Sequence, residues 1–262
     1  MRKFIQIVVF LWVAVSVCGC SGKKDGADEA AVRVVIGGSI SGGDGRMLYL
    51  HHLAVDTTGV GGADYIGLSN NAVADSKFIL SCQPVNGEPT FYRVGFSAQN
   101  SIVTLARSGE QLDFHFQHPD TLCRDYTVSG GRDAELMADL DRQLRLFADS
   151  AEQLTLWYEF SDDDSAHTII NDAYNLIKRH HTNYLRNFIA QNPTSLATIT
   201  AFYQQYQMAT FFDEANDLVM LEKIYKNLKK QYPKNENVLW LARRIQFIKE
   251  KMNQEPMAAT NH

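Results

Sequence analysis

The chain has 262 residues, with 25 Lys and Arg against 30 Asp and Glu and a formal charge of -5. That length supports one large domain or two small ones with real hydrophobic cores. The acidic balance argues against nucleic acid as a partner, because phosphate backbones are held by basic faces.

The first element is Met1-Arg2-Lys3 followed by an apolar run from Phe4 to Val17. Two cations, roughly a dozen apolar residues and a small-residue end make a secretory signal, too short for a comfortable membrane span. In Val17-Cys18-Gly19-Cys20, Cys20 follows an aliphatic-x-small triplet, the pattern of a bacterial lipoprotein signal whose thiol takes a diacylglycerol before cleavage. Cys20 is therefore the expected lipidation site, with 1–19 the lipoprotein signal peptide and 20–31 a flexible tether. Cys18 is the competing choice, but Val17 is a poor small residue; the alternative to lipidation is an ordinary cleaved signal. Several acyl chains at about 0.8 kcal/mol per buried methylene hold a protein at a membrane permanently. Ser21 is not the aspartate that usually retains a lipoprotein at the inner membrane, so the outer membrane is expected, facing the periplasm or the cell surface. Removing Met1–Gly19, with two cations and no acid, leaves 243 residues at charge -7.

From Val32 to Gly130 the texture changes to short apolar runs between turn residues, which predicts antiparallel sheet. Val32 to Ile36 is the first strand, Gly37 to Gly45 reads as a hairpin loop, and Arg46 to Leu50 returns. Asp56 to Ser76 is looser, rich in Gly, Asn and Asp. Strands follow at Lys77–Cys82, Thr90–Phe96, Ser101–Arg107, Gln111–Phe116 and Tyr126–Val128. Their near-regular spacing without an intervening helix predicts an antiparallel β-sandwich-like domain over 32–130.

After Gly131 the apolar period becomes helical. Leu136, Leu140, Leu144, Phe147, Ala151, Leu154 and Tyr158 form one stripe. Ile170, Ala173, Ile177, His181, Tyr184 and Phe188 form a second, opened by Asp162-Asp163-Asp164 as a solvated cap. Asn192-Pro193 starts a third helix lined by Leu196, Ile199, Phe202, Tyr203 and Tyr206. Asp213 opens a fourth that Pro233 stops, and Asn237 to about Met252 is a fifth. The expected fold is thus α+β: the β-domain, then a helical domain of about five helices over 131–252, then a disordered tail over 253–262.

Few residues carry chemistry at useful spacing. Cys82 and Cys123 lie far apart, so they make no zinc ribbon or redox Cys-x-x-Cys. In an oxidising compartment they either join in one disulfide or stand as two small buried hydrophobes. His115 and His118 splay at a strand end without a third ligand nearby, and no metal is expected. His51 and His52 point to opposite faces, one exposed and one packed, while His181 on an apolar stripe reads as a hydrogen-bonded core histidine. The glycines of 37–45 lack the Lys-Ser/Thr of a phosphate loop. No catalytic residues and no cofactor are expected. Phe202, Tyr203, Tyr206, Phe211 and Phe212 crowd the third helix more densely than one stripe needs, which makes them candidates for either inter-helix packing or a partner surface.

The order of several short matches carries a resemblance. They are the first strand ending in Gly37-Gly38, Arg46-Met47-Leu48-Tyr49-Leu50, Asp75-Ser76-Lys77-Phe78, Phe91-Tyr92-Arg93-Val94, Ser108-Gly109-Glu110-Gln111-Leu112, Tyr126-Thr127-Val128-Ser129-Gly130 and Asn192-Pro193-Thr194-Ser195-Leu196. In this order the chain resembles the N-terminal part of bacterial thiol:disulfide interchange lipoproteins of the TlpA and ResA type. There a β-domain of unknown function and a helical segment precede a thioredoxin domain. No Trp-Cys-x-x-Cys stands in this sequence, so no redox pair is carried over. The expected protein is a lipid-anchored cell-envelope module acting non-catalytically as a binder or scaffold, its partners the membrane through its anchor and an unidentified protein or ligand. The alternative is an accessory to periplasmic thiol-disulfide exchange or oxidative-stress defence, working with a separate thioredoxin-like protein.

Overall fold

The computed structural model describes residues 33–56, 63–84 and 87–259. The expected signal peptide, the tether and Cys20 lie outside the described residues. From Val32 onward the chain is one compact unit of α+β fold.

Eight strands come first: β1 (Val34–Ile40), β2 (Met47–Val55), β3 (Ala63–Ala72), β4 (Lys77–Cys82), β5 (Thr90–Gly95), β6 (Ser101–Ala106), β7 (Gln111–Phe116) and β8 (Tyr126–Ser129). They form two four-stranded sheets, β4-β1-β7-β8 and β3-β2-β5-β6. Strict alternation along β2, β4 and β7 turns Leu48, Leu50, Phe78, Leu80, Phe114 and Phe116 inward, where they meet Tyr92 and Val94 of β5 in one buried layer. The sandwich therefore rests on period-two patterning.

Its wiring departs from the expected hairpins. β1 runs on through Gly37 and Gly38 to Ile40, and β2 belongs to the opposite sheet, so the glycines are not a hairpin loop between paired strands. β1 pairs instead with β4 and, in parallel, with β7. Gly38, at φ 146°, sits opposite Phe114, and a Cβ there would lie 1.8 Å from the Phe114 carbonyl oxygen. Only glycine lets the two backbones come this close. β3 occupies much of the stretch expected to be loose. It is an edge strand paired only with β2, and with little burial to satisfy it can be built from Ser69, Asn70 and Asn71.

The helices are α1 (Arg132–Glu159), α2 (Asp164–Gln191), α3 (Ala197–Tyr203), α4 (Leu218–Gln231) and α5 (Glu236–Ala259). Between α3 and α4 lies a small ribbon, β9 (Gln205–Tyr206) with β10 (Ala209–Thr210). The third helix is thus shorter than its periodicity implies. Gln204 leaves the helical conformation, at ψ 136°, and its amide is held at both ends: Oε1 by His181 and Nε2 by the Leu140 carbonyl. Asp213 does not open α4; its carboxylate accepts from the Ala215 and Asn216 N–H groups in a preceding turn. At the other end, Asn253–Ala259, expected as tail, continues α5.

Phe91 and Leu105 point out of the second sheet, away from the sandwich, and enter the same core as Met137, Leu140, Leu196, Phe202, Leu221 and Leu241. Burying a leucine or phenylalanine stabilises by about 1.5–3 kcal/mol, so these two residues couple sheet to helices strongly. A polar joint reinforces the contact. Buried Asp133 accepts from Ser195 Oγ at 2.6 Å and from Arg107 Nη2 at 3.0 Å, and Arg107 also donates to the Tyr232 hydroxyl at 2.8 Å. The end of β6, the start of α1, the α2–α3 link and the end of α4 are tied at one point.

Candidate functional site

α1 and α2 each have 28 residues, or about 42 Å at 1.5 Å per residue, and they pack as an antiparallel hairpin. Their burial is one-sided along the length. Buried residues of α1 end at Ala151, and those of α2 begin at His181. The distal part of the hairpin, joined by Phe160–Asp163, therefore has no buried residue of its own and stands on the body held below it.

This distal surface is apolar where solvent meets it. Trp157 is 61% exposed, Phe160 84% and Ile169 68%, with Leu156, Tyr158 and Leu176 also exposed. Between the two helices, Leu154, Tyr158, Ile170 and Tyr174 line a shallow hollow of about 220 Å³. Single exposed hydrophobes are ordinary, but so many large ones at one end of a hairpin make a candidate interaction surface. The same stretch is acidic throughout. From Leu146 to Ile177 there are Asp149, Glu152, Glu159, Asp162, Asp163, Asp164 and Asp172, and no Lys or Arg.

The turn holding Phe160 is built to keep its shape. Asp163 caps α2 by accepting from the Ser165 N–H at 3.0 Å, and the Ser165 hydroxyl and backbone together hold the Asp163 carboxyl below its usual range. The His167 ring stacks on Tyr158 with centroids 4.0 Å apart, and its Nε2 meets the Ser161 carbonyl at 2.8 Å. A fixed turn presents Phe160 at a low entropy cost of binding.

The residues singled out from the sequence fall elsewhere. Phe202, Phe211 and Phe212 are buried in the helical core, Phe202 and Phe212 stacked at 5.3 Å, so they are not a partner surface. Tyr203 is half-buried and donates to Glu214, which Arg244 clamps with two hydrogen bonds. Tyr206 packs edge-on to Phe147. The density of aromatics reflects three elements converging around His181 (Phe147, Tyr184 and Phe211) and not a groove. Burial keeps His181 neutral by lowering its pKa, and Nε2–H donates to Gln204 Oε1 at 2.7 Å, as a core histidine should.

Cys82 and Cys123 are free, one buried and one exposed. Cys82 pairs with Val34 at one end of β1, whereas Cys123 lies two residues from Asp125, whose carbonyl accepts from the Gln117 N–H next to Phe116, the partner of Ile40 at the other end. Six residues of strand separate the two ends, roughly 20 Å at about 3.3 Å per residue, far beyond the roughly 7 Å limit between disulfide Cα atoms. The disulfide is therefore excluded in this fold. His52 is the packed member of its pair, buried and 2.7 Å from Glu236, and His51 is half-buried. His115 meets Ser39 and Asp113. Among the described residues no three His, Cys, Asp or Glu side chains group as metal ligands, and no helix is long and apolar enough to cross a membrane. Of the hairpin surface, Tyr158 continues a stripe that is core nearer the body, whereas Trp157, Phe160 and Ile169 lie off both stripes; the usable signals were these off-stripe apolar residues and the absence of cations from 146 to 177.

Protein-family models, characterised proteins and solved structures give no match to this chain.

Proposed function

We propose that the chain is a lipid-anchored envelope protein that works as a non-catalytic binding module, and that the distal α1–α2 hairpin is its contact surface. The observation that supports this is the coincidence of Phe160, exposed on a fixed turn, and Trp157 and Ile169, exposed on the helices beside it, with an acidic stretch from 146 to 177 that has no Lys or Arg. Apolar anchors in a ring of charge are the make-up of a protein interface, the anchors supplying affinity and the charges steering the partner. A partner that fits is a protein face with basic residues around an apolar centre. Anionic lipid does not fit, since the same carboxylates would repel it. An anchor at Cys20 would hold the module at a membrane.

The experiment is mild cross-linking in intact envelopes with the full-length tagged chain, comparing the native sequence with Trp157→Ala/Phe160→Ala. A partner band present with the first and lost with the second is the expected result; equal recovery by both refutes the hairpin as the contact. The resemblance to thiol:disulfide interchange lipoproteins gives a second reading, favoured by the exposed free thiol of Cys123. It requires a dithiol-sensitive adduct with a thioredoxin-like protein that disappears in Cys123→Ser.

A further inference from the structure

The outward face of the second sheet has a hollow that the helices leave open. Tyr49 and His51 of β2 and Arg93 of β5 line it, the Phe96–Ala98 turn closes one end, and its volume is about 260 Å³. Gly95 stands opposite Tyr49 in the ladder. A Cβ on Gly95 would come within 2.3 Å of Ser101 Cβ and 2.5 Å of the Asn100 carbonyl oxygen, so packing requires glycine. The consequence is an open floor beside the Tyr49 ring, which is itself exposed.

Arg93 is the unusual member. It faces His51 across the ladder and is half-buried, with its guanidinium carbon 3.6 Å from the centroid of the Tyr65 ring. That stacking occupies one face of the cation and fixes the plane of its fork. Among the described residues, no carboxylate or other acceptor meets its N–H donors. Other half-buried arginines of this protein are paired: Arg107 with Asp133 and Arg244 with Glu214. His51 lies beside it with its ring 6.2 Å from Tyr49 and its Nδ1 buried without a hydrogen-bond partner. Burial, then the Arg93 charge, lowers the His51 pKa, so the imidazole adds a neutral polar edge and no second cation.

We propose that this hollow binds a small ring-bearing carboxylate, either an aromatic acid or a uronic acid sugar. The carboxylate takes the vacant fork of Arg93 and the ring lies against Tyr49 over Gly95. One oriented guanidinium beside a neutral imidazole matches a single carboxylate better than a phosphate, which carries more charge and draws further cations. The volume, near the lower end of about 300 Å³ for small-molecule pockets, suits one ring. This site is separate from the hairpin surface, and neither depends on the other.

The test is saturation-transfer NMR with the full chain in detergent micelles. Benzoate and glucuronate are the probes at about 10 mM, above the roughly millimolar Kd of a fragment held mainly by one charged contact. Benzyl alcohol and glucose are the uncharged controls. Transfer to benzoate, to glucuronate or to both, beyond that seen with the matching control and reduced about tenfold by Arg93→Gln, is the expected result, and which acid responds identifies the source. Arg93→Lys, which keeps the charge without the planar fork, weakens it several-fold and serves should Arg93→Gln fail to fold. No transfer to either acid, or equal transfer in the Arg93 variants, overturns the proposal.

Discussion

Asp141 on α1 gives a sharp test of how the helices sit on the sandwich. The Tyr126 hydroxyl at the start of β8 donates to Asp141 Oδ2 at 2.6 Å. Burial drives the Asp141 carboxyl up from 3.8 to about 6, while the Tyr126 hydrogen bond and the Arg145 charge pull it down without prevailing. A carboxyl whose pKa is raised by folding holds its proton better in the folded state. Its stabilising contribution is therefore complete below about pH 4 and is lost as pH rises through about 6. At 1.36 kcal/mol per pH unit, the ionised carboxylate costs the fold about 3 kcal/mol at neutral pH. Asp141→Asn keeps an acceptor for Tyr126 and removes the charge. Urea unfolding followed by circular dichroism across about pH 4 to 8 should show the variant more stable by about 1–3 kcal/mol at neutral pH, the two proteins converging near pH 4. A variant less stable at neutral pH, with the gap closing toward acid, would mean the ionised carboxylate is favoured and the packing of α1 on β8 is wrongly described.

Leu105→Ala should cost about 2–5 kcal/mol, and sheet and helix signals should melt together, because Leu105 belongs to the helical core while lying on β6. Gly38→Ala should cost more than about 3 kcal/mol or abolish folding, as its Cβ overlaps the Phe114 carbonyl. Thiol titration of the native protein should label Cys123 at once and Cys82 only after unfolding, burial having raised the Cys82 pKa as well as hidden it. Trp157→Ala/Phe160→Ala should shift unfolding free energy by no more than about 0.5 kcal/mol per residue, since neither side chain is part of a core; a larger loss by denaturant titration would count against a free surface.

The fold class was legible in the sequence because each half has one clear period: alternation in Lys77–Cys82 and Gln111–Phe116, steps of three and four from Leu136 to Phe147. Pairing was not legible, since alternation says which face a residue takes and nothing about its neighbour strand. That is why the parallel β1–β7 ladder was missed and Gly37 to Gly45 read as a hairpin loop. β3 escaped because an edge strand needs little apolar sequence, and the short α3 because the Gln204 side chain is held by contacts from α1 and α2 that lie far away in sequence. For the site the difficulty is deeper. Tyr158 and Ala151 belong to one stripe, yet Ala151 is core and Tyr158 is surface, a distinction set by where the body beneath the hairpin ends. Similarly, Arg93 looks like any strand arginine until its neighbours are seen to offer a tyrosine ring and no carboxylate.

The proposed contact surface, the distal hairpin, is open to direct test. A photo-crosslinking amino acid placed singly at Trp157, Phe160 and Ile169, and for comparison at exposed Lys230 on α4, tests it directly in intact envelopes. One shared adduct from the three hairpin positions, weakened by added salt, and none from Lys230 is the expected result. Adducts from Lys230 with none from the hairpin would contradict it.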